Sequence, residues 1–254
     1  MKKHKFNLSP TYAILRYLSI KLIIVIIGFL LVCFIVGYLG KTLKTLDYFK
    51  IKDIVNLEGE ISELSYLKGQ NIFDIDLKKE SRYILELYPN YKKIRLIRVL
   101  PNRLFVDFIK RNPLGLVKLY RYFCVDEDSI LFDTSGEIGQ SDLPIILGLD
   151  TKIFGPKSGR KYNIKELTLA LNIIKELKAN RRLKDYRVKT IDVANPASAS
   201  FFMDTGLEVK LGEDDIKDKI GILAGLLIRV KNDLDNIRYI DLRFKDPVIK
   251  LKDK

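Results

Sequence analysis

The chain has 254 residues, enough for one or two modest domains that each bury a core. Its 45 Lys and Arg against 32 Asp and Glu give a formal net charge of +13, but the two signs interleave, so the surface reads as mixed and solvated. One histidine, His4, and two cysteines, Cys33 and Cys124, exclude a Ser-His-Asp or Cys-His arrangement, a histidine-built zinc site and a disulfide beyond residue 40.

A mean hydropathy of +0.01 hides one apolar excess, Leu22–Leu39, "LIIVIIGFLLVCFIVGYL", which runs 18 residues without a charge. At about 1.5 Å per residue it extends roughly 27 Å, close to the ~30 Å hydrocarbon core of a bilayer. Fourteen of its residues are Leu, Ile, Val or Phe. At about −0.3 to −0.6 kcal/mol each, they favour insertion by roughly −4 to −8 kcal/mol. A cleaved signal peptide is the rival reading, with an apolar core of usually ~7–15 residues that ends at small residues. Here the run passes into "GYLGKTLK" with no A-x-A pattern, which favours a retained anchor over 22–39, a tail over 1–21 and a tether over 40–47. Charge does not settle orientation: five Lys/Arg precede the span, and Lys41, Lys44, Lys50 and Lys52 follow it.

Beyond the tether, "YFKIKDIVNLEG" predicts a strand ending at Gly59, with Phe49 and Ile51 on one face. Residues 61–68 predict a helical turn or two. "LKGQNIFDID", residues 67–76, then sets Asp74 and Asp76 one residue apart. Paired carboxylates suit acid–base chemistry, but Asp76 stands directly before a helical stripe of Leu77, Ser81, Ile84, Leu85 and Tyr88. An N-cap there is worth typically ~1 kcal/mol, and Pro89 stops the helix. Strands follow over 93–99 and 104–110, joined by "LPNR", with Leu104, Val106 and Phe108 alternating onto one face. Residues 48–112 therefore predict β-α-α-β-β, a three-stranded sheet with helices on one side.

"RNPLG" at 111–115 marks a joint, and "YFCVDEDSILFD" a hairpin turning at Asp126–Ser129. Asp126, Glu127, Asp128 and Asp133 lack the D-x-D-x-D-G pattern and closing Glu of an EF-hand. "FGPKSGRK" at 154–161 lacks the spacing of a phosphate-binding loop and reads as a solvated basic loop. Asn163 and Glu166, at capping-box spacing, open a helix over 163–179 striped by Ile164, Leu167, Leu171 and Ile174. Strands near 187–193, 198–204 and 207–211 come next, the last two joined at "DTG". A helix over 214–232 carries Ile216, Ile220, Leu223, Leu227 and Val230, with Leu234 continuing the stripe. That stripe spans under three heptads and suits packing on the chain's own sheet better than a coiled coil. "YIDLRF" and "VIKLK", separated by Asp246–Pro247, close the chain as two strands. The fold class is α+β, with no catalytic, cofactor or metal constellation.

The order of short motifs resembles the FtsQ/DivIB family of bacterial cell-division proteins. The motifs run from the basic tail and span through "FKIKDIVNLEG", "KGQNIFDIDL", "YP", "LPNRLFVDFIKRNP", "CVDEDSILF", "LPIILG", "LEVKLG" and "YIDLRF". Three departures stand out: one extra residue before Gly59, read as a bulge, Lys110 where members often carry Glu, and Ser129 in place of a turn glycine. The resemblance implies a cytoplasmic tail, one span, a POTRA domain over 48–112 and a mixed β domain over 113–254 with helices packed on an extended sheet. It also implies a non-enzymatic scaffold at the division septum without cofactors, most of it outside the cytoplasm (in the periplasm where the envelope has two membranes). Such a scaffold links early division proteins to septal peptidoglycan synthesis by holding FtsB/DivIC- and FtsL-type partners. In the family the last strands accept a partner strand, which places Arg243, Phe244, Val248, Ile249 and Leu251 in that contact. At Phe244, Ile249 and Leu251 an ordinary core role is the competing reading. Other classes weighed are a POTRA-bearing component of outer-membrane protein transport, a membrane-anchored wall enzyme and a nucleic-acid binder.

Overall fold

The computed structural model describes residues 10–56, 59–60, 62–134 and 142–252. The chain divides into two compact units, one running to Ser81 and including Arg95–Asp107, the other comprising Arg82–Ile94 and Phe108–Lys254. Helix α1, Pro10–Thr45, carries the apolar run. Its Lys21–Leu43 stretch is long and apolar enough to cross a membrane, and none of its most apolar window is buried by the rest of the chain. A helix satisfies its backbone polar groups internally, the condition that hydrocarbon imposes.

β1, Asp53–Asn56, starts later than the sequence predicts. The preceding residues run instead against the 67–74 turn, where Lys50 bridges Asn71 and Phe49 packs on Phe73 at 5.2 Å. β2, Gly59–Glu60, adds antiparallel to β1 and makes a fourth strand where three were predicted. The bulge expected before Gly59 involves residues 57–58, outside the described residues. Ser62–Leu67 is a 3-10 helix, and α2 spans Leu77–Leu87. With β3, Tyr91–Val99, and β4, Arg103–Lys110, the strand order is β2-β1-β4-β3, β4 lying parallel to β1. Ile54, Leu64, Leu67, Ile72, Ile75, Leu104 and Val106 are all buried.

The aspartate pair belongs to this framework. Asp76 Oδ1 accepts the N–H groups of Lys78 and Lys79 at 3.0 and 3.1 Å, so Asp76 caps α2. The turn before it is clasped from β3 by Arg98, whose Nε and Nη2 each donate at 2.7 Å to the carbonyls of Ile72 and Ile75.

The other sheet has nine strands. They are β5 Gly115–Lys118, β6 Tyr122–Val125, β7 Leu131–Phe132, β8 Ile145–Leu147, β9 Val188–Asp192, β10 Ser200–Met203, β11 Glu208–Lys210, β12 Ile237–Asp241 and β13 Val248–Leu251. Their order is β13-β12-β11-β10-β9-β8-β5-β6-β7. Three neighbour pairs are parallel, β5/β8, β8/β9 and β11/β12, and the last two are joined by crossovers that carry the helices α3, Lys165–Ala179, and α4, Ile216–Arg229. One core joins both helices to the sheet through Ile174, Leu223, Leu227, Ile191, Phe201, Val209 and Ile240. Alternation puts Leu116, Cys124 and Phe132 on the opposite face as a smaller cluster. α3 opens two residues after the predicted cap: Ile164 is the N-cap, and no side chain caps it.

The acidic hairpin turn is structural too. Arg111 Nη1 donates to Asp126 Oδ2 at 2.6 Å, both side chains being buried, and Arg111 Nε donates to the Pro89 carbonyl at 2.9 Å. Asp126 Oδ1 accepts the N–H groups of Asp128 and Ile130 at 3.0 Å each. Glu127 and Asp128 pair with Lys92 at 2.7 and 3.1 Å. Ser129, the departure from an expected turn glycine, takes φ +63°, the left-handed region.

Candidate partner-binding edge

β13 is the terminal strand of the nine, with β12 on one side and no described strand on the other. The register sets Val248 across from Asp241, Ile249 from Ile240 and Leu251 from Ile237, with an irregularity between Ile237 and Tyr239. Ile240 and Ile237 are buried, so Ile249 and Leu251 lie on the core-facing side of the sheet. The cover thins there: Ile249 keeps 37% of its surface and Leu251 58%. Phe244, in the connection between the strands, is 61% exposed. These three side chains are not core residues of this structure.

The opposite edge is closed. Gly159 N–H donates to the Leu131 carbonyl at 2.7 Å, Leu131 N–H to Arg160 at 3.1 Å and Tyr162 N–H to Ser129 at 2.9 Å, while Ile130 bridges Lys161. The 154–161 loop, which sequence reads as solvated, thus lays its last residues along β7. Gly159 permits that close approach: at φ +82° a Cβ would come within 2.9 Å of Pro89.

Arg243 is engaged inside the chain. Its Nε donates to Asp241 Oδ1 at 2.9 Å and its Nη2 to Oδ2 at 2.6 Å, while its own N–H reaches Oδ1 at 3.1 Å. Asp241 is buried, and the guanidinium bonded to it holds its carboxyl below the ordinary range, while the same bond raises Arg243. The fork leaves Nη1 outside this grip, and the guanidinium stands 5.8 Å from the Phe244 ring. Sequence reasoning missed Asp241, although residues i and i+2 share a face of an extended segment, so the D-x-R spacing carried the signal. Beside it, Lys210 Nζ lies 4.2 Å from the Tyr239 ring centre.

Chemically, an edge strand offers backbone donors and acceptors to a further strand. Here it adds an apolar rim and an arginine at one end. Among the described residues no group of three or more His, Cys, Asp or Glu could hold a metal ion. The Cys124 thiol is buried, and desolvation pushes its pKa up, which disfavours the thiolate.

A family model described as cell division protein FtsQ/DivIB, C-terminal, matches residues 117–243. That match takes in Asp241 and Arg243 and stops before Phe244 and β13. The chain is 27% identical over 215 residues to cell division protein FtsQ of Geotalea daltonii, covering 80% of this chain and 75% of that protein. It is 24% identical over 212 residues to the FtsQ of Syntrophotalea carbinolica, covering 80% and 74%. A similar 24% over 212 residues relates it to the FtsQ of Geobacter sp. strain M21, covering 82% and 76%.

Proposed function

Because the chain belongs to the FtsQ/DivIB family of cell division proteins, we propose that it is a single-span scaffold of the division machinery that holds its partners by strand addition. In this reading the tail before α1 is cytoplasmic and the rest, a POTRA domain over 48–112 and a β domain over 113–254, works outside the cytoplasm at the septum. FtsB/DivIC- and FtsL-type proteins are the partners. Arg243, Phe244, Val248, Ile249 and Leu251 form the contact, and no substrate is transformed. The observation that carries the reading is the asymmetry of the nine-stranded sheet: β7 is covered by residues 159–162, whereas β13 ends the sheet with exposed apolar side chains.

Co-purification of the full chain with an FtsB/DivIC-type partner tests it. Ile249→Pro, which disrupts a strand ladder, and Arg243→Glu, which reverses the charge at its end, are each expected to weaken capture by about tenfold or more. Capture at the original level in both variants would remove this surface. A fluorescent fusion is expected to form a midcell band in dividing cells, and a uniform membrane signal would refute the septal role.

A further inference from the structure

We propose that the chain carries a second docking site, at the C-terminal end of α3, for an acidic peptide segment bearing large aliphatic side chains. A cavity of about 390 Å³ opens between the last turns of α3, the 3-10 helix Arg181–Leu183 and the start of β9. That volume falls in the ~300–1,000 Å³ range of ligand-binding clefts. Its floor is apolar: Ile174, Leu183, Ile191 and Met203 are buried there. Its rim is cationic, with Lys178, Arg181, Lys184 and Arg187 recurring at every third residue, all exposed. Arg187 pairs with Asp142 at 2.8 Å, whereas Lys178, Arg181 and Lys184 form no ion pair among the described residues.

The dipole at the end of α3 accounts for one cation in the last turn, Lys178, but not for a rim of four. Residues 175–189 hold seven Lys/Arg against Glu176 and Asp185, so the excess is local. Charge complementarity selects the occupant. A lipid head brings one phosphate to one point of the rim. A peptide repeats its carboxylates along the chain, meets Lys178, Arg181 and Lys184 together and places aliphatic side chains on the floor between them. The site stands apart from β13 and does not depend on strand addition there.

The test is fluorescence anisotropy of a dye-labelled peptide of about a dozen residues, built of Leu-Glu-Glu repeats and titrated with the full chain in zwitterionic nanodiscs. Saturable binding is expected. It should weaken about tenfold in the triple variant Lys178→Glu, Arg181→Glu, Lys184→Glu, and equally when the peptide's Leu becomes Ser or its Glu becomes Gln. An equal charge reversal at Lys157, Arg160 and Lys161 should leave it within about twofold. The first triple variant should still capture the β13 partner, which separates failure of one site from failure of the other. The proposal is overturned by absence of saturable binding, by equal loss in both triple variants, or by indifference to the Leu→Ser or Glu→Gln change. It is also overturned if phosphatidylglycerol vesicles, and not the peptide, bind in a way the first triple variant abolishes.

Discussion

Arg111 and Asp126 are 15 residues apart in sequence and nearly cut off from solvent, at 6% and 2% side-chain exposure. A charge left alone in such a place is destabilising, so Arg111→Met is expected to cost about 3–5 kcal/mol, measured as a lower urea midpoint of the full chain in detergent. Adding Asp126→Leu recovers only part of the loss, because the N–H groups of Asp128 and Ile130 then lose their acceptor. Asp241 gives a prediction in pH. Its folded carboxyl is depressed by Arg243, so the pair's contribution is full above the ordinary carboxylate range and fades as pH falls through the depressed value. Arg243→Gln should therefore move the acid-unfolding midpoint to higher pH. The two pairs differ in legibility. Asp241 and Arg243 are separated by one residue and readable from spacing, whereas nothing local ties Arg111 to a turn in the next hairpin.

Capping separates two helices that look alike in sequence. Asp76 stands before α2 and bonds two of its first N–H groups, so Asp76→Ala should cost about 1 kcal/mol of unfolding free energy. Asn163 stands before α3 at equally good spacing, yet the helix begins at Lys165 with an extended Ile164 between them. Asn163→Ala should then change stability by less than about 0.5 kcal/mol. Periodicity places α2, α3, α4 and most strands to within a few residues, because each rests on a stripe or alternation of its own side chains. It does not reveal strand order. That β8 lies between β5 and β9 is decided by a core assembled from distant segments, and β2, two residues long, carries no pattern to read. At β13 alternation was visible, but exposure was not, since it depends on where the helical cover ends.

At the scale of the molecule, the apolar run of α1 decides where the chain resides. Its insertion is favoured by roughly 4–8 kcal/mol, and each arginine near its centre costs about 2.5–3.5 kcal/mol. Ile27→Arg with Leu31→Arg should accordingly shift the chain from the carbonate-resistant membrane fraction to the supernatant, and a chain still in the pellet would contradict a spanning role for this helix. The nine-stranded sheet sets a different limit. A ribbon hemmed along one side, as β7 is by residues 159–162, lengthens only from the other. Two copies meeting edge to edge would leave no vacancy for a third. Self-association through this sheet would thus end at the pair and would not run on into fibres.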